Sequence, residues 1–381
     1  MDPAGYATCS GTAIMAAVTI FLCGDVMIGR GVDQILPHPG DPRLPEEYVR
    51  DAGQYVQLAE AASGPVPRPV GFSYIWGDAL EELARVRPQA RVINLETSIT
   101  RSDDHWPGKG IHYRVHPDNV GCLTAAGIDV CALANNHVLD FGEAGLRETL
   151  DTLAGAGLRS AGAGRTLAEA REPARVDMPE KGRLIVFAFG DESSGIPPGW
   201  TATDERPGID LLPDLSEATA RGVLERVGRV KRARDIVVAS IHWGSNWGYQ
   251  VPPAQQRFAQ RLLDGEVDIV HGHSSHHIRP IEHYRGKLIL YGCGDFLDDY
   301  EGIAGYEEFR DDLTLMYFPT VEPATGRLDS LRMTPMQIRN LRLSRARRAD
   351  AEWLARTLAR ISRPFGAHIE VAADSTLTLR T

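Results

Sequence analysis

In this 381-residue sequence, side chains able to bind a cation or move a proton recur just after short apolar runs. Asp25 lies in Gly24-Asp25-Val26-Met27-Ile28-Gly29-Arg30, and Glu96 in Asn94-Leu95-Glu96-Thr97. Asn135-Asn136-His137 leads into Asp140 and Gly142, His242 follows Ser240-Ile241, and His271, His273, His276 and His277 crowd into one stretch. Carboxylate, amide and imidazole donors with no thiolate among them are the mixture that holds Zn, Mn or Fe. The cofactor expected is one or two divalent ions of that kind. Gly24, Gly29, Gly244 and Gly272 let the backbone turn sharply and come close to an ion. Singly these signals are weak, since a Gly-Asp pair is most often a turn and a lone histidine most often packs in a core. Their recurrence together is what points to chemistry.

Positioning falls to the apolar runs themselves. Residues 18–23, 91–95, 128–134, 184–189, 236–241, 267–270 and 288–291 are short, rich in Val and Ile and without alternation, as in strands buried on both faces. Residues 76–87, 117–126, 143–155, 215–233 and 253–263 carry apolar positions at helical spacing. Strands alternating with helices make an α/β layered fold. Ligands in such sheets bind beyond the carboxyl ends of the strands, so these ends aim their polar side chains at a common rim. Residues 37–69 and 190–213 are Pro- and Gly-rich excursions of the kind that serve as lids or walls. The arginine run 339–348 reads as a solvated linker, Asp140 as the cap of the helix near Glu143, and Met27 as apolar packing. The expected organisation is one elaborated domain over 13–338 and a helix–strand appendage over 339–381.

Hydrophobic residues at 43% and charged residues at 24% are ordinary globular usage. With 51 acidic against 41 basic residues the net charge is −10, which excludes a broad nucleic-acid-binding face. The only lysines are Lys109, Lys181, Lys231 and Lys287. Cys9, Cys23, Cys122, Cys131 and Cys293 are scattered with no C-x-x-C pair, against a disulfide framework and in keeping with a reducing compartment. The apolar stretch 13–23 is shorter than the ~20 residues a span needs and has no basic flank. A buried first strand, no membrane anchor and a cytoplasmic location are expected.

The segments GDVMIGR, NLETSIT, HYRVHPDNV, ALANNHVLDFGEAG, GAGRTLAEA, SIHWGSNWGY and GHSSHHIRPIEHYRGKLILYGCGDF, spread in order over residues 18–318, resemble the CapA (poly-gamma-glutamate capsule synthesis protein) family of the metallophosphatase, or calcineurin-like, superfamily. The resemblance implies a four-layer α/β/β/α sandwich with a metal centre at one edge. It implies Asp25, Glu96, Asn136, His242, His273 and His276 as ligands and His137 as the group that protonates a leaving atom. The sequence departs from the pattern at Met27, where His is common, at Ser274-Ser275, which lengthen the histidine spacing, and at Asp295, where Asn is usual.

The function expected is metal-dependent hydrolysis of an amide or γ-glutamyl-type bond in an anionic small molecule or oligomer. A phosphoesterase, and a non-catalytic accessory protein of capsule synthesis, are the alternatives. With no G-x-x-x-x-G-K-[ST] motif, ATP-driven ligation by this chain alone is not expected. Arg30, Arg114 and Arg279, beside the motifs, are candidate clamps for carboxylate or phosphate, and His112 and His116 candidate pocket residues. Trp243, Trp247 and Tyr249 read either as an apolar wall or as core.

Overall fold

Apolar strands without alternation need cover on both faces, and this chain supplies it by stacking two sheets. The computed structural model describes residues 17–380, so Cys9 and residues 13–16 of the expected domain lie outside the described residues. In the larger sheet Val18–Val26, Ala90–Leu95, Val130–Ala132 and Arg159–Ala161 run parallel in that order. In the smaller, Gly182–Gly190, Ile236–His242, Ile269–His273 and Lys287–Leu290 do the same. Ile236, Val238 and Ile269 share one core with Ile20, Leu22, Val92 and Val130 of the other sheet. The alternate residues Val237, Ala239 and Val270 turn to a second core against Val223 and Val227 of helix Glu217–Val230 and Phe258 and Leu262 of helix Pro253–Asp264. The result is a mixed α/β fold with two principal sheets, each contributing to a contiguous apolar core.

The expected strands and most expected helices are present, with shifted ends. Residues 117–126 instead divide into a 3₁₀ turn, Pro117–Asn119, and a short helix, Gly121–Ala125. Two long strands, Leu313–Val321 and Leu328–Ile338, pair antiparallel and extend the larger sheet beside Val18–Val26 where no strand is expected from the sequence. Each carries a proline, Pro319 or Pro335, inside the ladder, and an internal proline weakens a strand signal. Helix Gly53–Ser63 interrupts the 37–69 excursion.

The arginine run is not a free linker. Leu343–Arg345 pairs with Leu328–Ile338, and Arg345 and Arg342 reach Glu82 at 3.0 Å and Asp78 at 3.4 Å. Helix Arg348–Ser362 and the strand pair His368–Val371 and Leu377–Arg380 complete that edge. The four described cysteines, Cys23, Cys122, Cys131 and Cys293, are buried and unpaired. Among the described residues no helix is long and apolar enough to cross a membrane.

Candidate metal centre

Two-residue periodicity builds the centre. The strand face that starts with Ile236 and Val238 continues as Ser240 and His242, and the face with Ile269 continues as His271 and His273. Parallel register sets His242 beside His273 and Ser240 beside His271. Each strand is thus apolar where the sheets face each other and polar where it leaves the core. On the opposite sheet a register shift between Leu22 and Asp25 brings Asp25 next to Asn94 and Asp295. Gly24 makes this possible, because a Cβ there would sit 1.6 Å from the Gly294 carbonyl oxygen.

Asp25, His242 and His273 converge from the two sheets, all buried, with ligand atoms within 4.8 Å of one another. The facing His242 and His273 Nδ1 atoms are 2.8 Å apart, a hydrogen-bond separation that needs a proton between them. His242 Nε2 lies 3.1 Å from Asn136 Oδ1 and 3.7 Å from Glu96 Oε1. Asn94 Nδ2 donates to both Asp25 (2.7 Å) and Glu96 (3.0 Å), tying the two carboxylates together. Ser240 Oγ holds His273 Nε2 at 2.9 Å and His271 Nδ1 at 3.1 Å, while His271 Nε2 is anchored at the Cys23 carbonyl, 2.7 Å away. Ser240 and His271 therefore fix the ring of His273 so that its Nδ1 faces the cluster.

The charges are uncompensated from within. Burial, reinforced by Asp295, raises the pKa of Asp25; burial, then Asp25 and Asp295, raises that of Glu96; burial, then Asp311, raises that of Asp295. Burial pushes His242 and His273 well below the usual imidazole range, so both are neutral lone-pair donors. Repelling carboxylates beside neutral imidazoles are a site that a divalent cation would stabilise, and one carboxylate with two imidazoles suits Zn, Mn or Fe. The residues fit the group.

His276 stands beside this cluster. Its Nδ1 pairs with Asp295 Oδ1 at 3.0 Å and its Nε2 with Asn246 at 3.0 Å, leaving Asp295 Oδ2 unpartnered. Met27 is fully buried with its sulfur 3.9 Å from the Tyr300 hydroxyl. His137 Nε2 approaches Glu96 Oε1 at 3.9 Å, and its Nδ1 meets Asp140 Oδ2 at 2.7 Å. Asp140 is not the helix cap expected from the sequence: Phe141 occupies that position, and Asp140 bonds His137, Lys109 and the Tyr113 amide.

The three arginines do not face the cluster as open clamps. Arg30 is 3% exposed and its guanidinium is committed to Asp299 and the Tyr55 hydroxyl. Arg114 donates to Ser102, Asp103 and the Asp41 carbonyl and packs on Phe141. Arg279 is buried under the loop after His242, its NH2 bonded to Ser245, and burial lowers its pKa to about 10. His116 accepts from the Asp118 amide, and His112 is buried against Trp106. Trp243 is core, whereas Trp247 and Tyr249 pack around His277 with Phe309. Asn94, Asn135 (which donates to Asn94 Oδ1 at 3.1 Å and accepts from the His137 amide), Ser240 and Lys109 are site residues to which the sequence assigns no role. Ser240 had a signal, being two residues before His242 on a strand, and Lys109 had none.

The family model described as "Bacterial capsule synthesis protein PGA_cap" matches residues 19–300. A Mycobacterium tuberculosis (strain H37Rv) protein named "Probable polyglutamine synthesis accessory protein" is 52% identical over 361 residues, covering 94% of this chain and 95% of its own. The "PGA biosynthesis protein CapA" of Bacillus subtilis (strain 168) is 27% identical over 316 residues, covering 83% and 70%. The "Capsule biosynthesis protein CapA" of Bacillus anthracis is 26% identical over 306 residues, covering 79% and 63%. The chain belongs to the bacterial capsule synthesis family, PGA_cap, that includes the CapA proteins.

Proposed function

We propose that the protein is a metal-dependent hydrolase on a metallophosphatase-like α/β/β/α sandwich, cutting an amide or γ-glutamyl-type bond of an anionic, glutamate-containing small molecule or oligomer. The observation that carries this is the convergence of Asp25, His242 and His273 from both sheets beside His137. Asp25, Glu96, Asn136, His242 and His273 are assigned to one or two divalent ions, with His276 at the edge. Such an ion supplies, when bound, Lewis acidity and a water ionised near pH 7. His137 delivers a proton to the leaving atom, its ring steadied by Asp140. The relatives' names, which speak of polyglutamine and PGA synthesis, direct the choice of substrate. The same residues would also serve a phosphoesterase.

The word "accessory" in the name of the 52%-identical relative favours one second reading, a protein that keeps the fold to bind an anionic polymer or a synthase. Metal analysis after reconstitution with Mn or Zn, followed by hydrolysis of γ-glutamyl peptides and phosphodiesters, separates these. Metal uptake with γ-glutamyl cleavage that disappears in His242→Ala and Glu96→Ala is expected. Cleavage retained in both variants overturns the metal-dependent mechanism built on these residues, and failure to take up metal leaves the binding role.

A further inference from the structure

Beside the metal centre, the segment 298–312, the end of helix Gly53–Ser63 and residues 337–339 line a cavity of about 380 Å³. Tyr300 belongs to its lining and also meets His276 edge-on at 5.3 Å, so the cavity and the metal centre share a wall. The lining is acidic, with Asp298, Glu301 and Asp311 in it. Asp298 is 2% exposed; its Oδ1 accepts from the Tyr300 amide at 2.8 Å, and its Oδ2 has no hydrogen-bond partner. Glu301 repeats the pattern, with Oε2 on the Leu341 amide at 3.3 Å and Oε1 unpartnered.

The arginines of the lining do not cancel this charge. Arg310 is spent on Asp312, at 2.6 and 2.9 Å, and on Asp350 at 2.9 Å. Arg339 is exposed, where water screens it. Burial, then Asp295, holds the Asp298 carboxyl well above its usual range, and Asp299 and Asp311 add to the repulsion. A buried acceptor without a donor is costly, and every near neighbour of Asp298 Oδ2 that carries charge is another carboxylate.

Such a cavity repels an anion and suits a cation that brings its own donors. A bare metal ion fits poorly: among the described residues only Asp25, His242 and His273 bring three carboxylate, imidazole or thiol ligand atoms within 4.8 Å of one another. A primary ammonium tolerates wider spacing, because its three N–H groups reach separate acceptors, and the volume admits the residue that carries it.

We propose that this cavity binds the primary ammonium of an amino-terminal chain end, with Asp298 as its buried acceptor and Asp311 as a second acidic group. The identity of the chain rests on the hydrolase reading: it is a glutamate-containing oligomer, whose only positive group is that ammonium. The cavity thus selects chain ends over chain interiors.

Calorimetric titration of chelator-treated full-length protein with two pairs of peptides tests this: γ-linked triglutamate and trialanine, each with a free and with an acetylated amino terminus. The free form should bind at least about tenfold more tightly in one or both pairs, the size of a lost charge-assisted hydrogen bond. That preference should vanish in Asp298→Asn, whose side-chain oxygen can still accept from the Tyr300 amide, and in Asp311→Asn at a half-buried position should the first variant not fold. Equal binding of free and acetylated forms in both pairs, or no binding, overturns the proposal; so does a preference that survives in the folded variants. Calcium or magnesium uptake that is lost in Asp298→Asn also overturns it, in favour of a metal site. A preference with trialanine alone keeps the ammonium site and removes the glutamyl ligand. Because binding is read without turnover, an inactive wild type sinks the hydrolase reading and leaves the ammonium site standing.

Discussion

Two buried charged groups lie close together along the chain and answer burial in opposite ways. At Asp299 the charge is closed: both carboxylate oxygens take the Arg30 fork, the Gly31 amide adds a bond at 2.8 Å, and Tyr55 and Glu46 finish the circle. At Asp25, Glu96 and Asp295 it is open, with carboxylates repelling one another and no arginine among their hydrogen-bond partners. A closed group holds the fold together and has nothing left to offer a ligand. An open one still lacks a counter-charge, and that is what a cation site requires.

The strongest break of this contrast is at the open group. Asp25→Asn and His242→Ala should each abolish stoichiometric metal uptake, and Asp25→Asn should lower metal-free stability by no more than about 1 kcal/mol because it also relieves repulsion. Arg30→Met should do the reverse, costing about 3–5 kcal/mol by leaving Asp299 and Glu46 buried without their counter-charge, with metal uptake intact. Denaturant unfolding beside metal titration reads both, and a matched loss of stability in the two sets would erase the distinction.

Proton competition sharpens it next. In the metal-free fold the carboxylates hold protons above their usual range, whereas His242 and His273 are already neutral. A cation must displace the carboxylate protons, so affinity should rise with pH through neutrality, by up to about tenfold per pH unit for each proton displaced, and fall on acidification. Competition with a chelating indicator at several pH values measures this. A flat profile would mean that the carboxylates are ionised without the metal.

The strand ends were legible because a run that stays apolar and then turns polar at its carboxyl end has one good explanation in an α/β fold, as at Ile236 to His242 and Ile269 to His273. Arg30 was misread for a related reason. It adjoins Asp25 in sequence, but the counter-charge that closes it, Asp299, is 269 residues away, and nothing local announces that pairing. Lys109 reaches His137 across 28 residues through an irregular loop, where no periodicity records which way a side chain turns. The Pro319 and Pro335 strands were hidden because their place in the sheet is decided by pairing with each other and with the first strand.

Ser240 tests whether the open group depends on its support. Its hydroxyl is the hydrogen-bond partner of His273 Nε2, so Ser240→Ala should weaken metal binding about 10–100-fold with all proposed ligands still present. An unchanged affinity would mean that strand register alone orients His273.

Arg114 carries the smallest expected effect and sets the outer limit of the site. Its bonds run to Ser102, to Asp103 and to the Asp41 carbonyl, and Asp103 is 76% exposed, so this pair is screened by water and worth little. Arg114→Ala should cost no more than about 1 kcal/mol, chiefly from lost packing on Phe141, and leave kcat/KM unchanged. A tenfold fall in kcat/KM at unchanged stability would place this loop against the substrate. Arg114 would then belong with the open group, its present partners only holding it until an anionic ligand arrives.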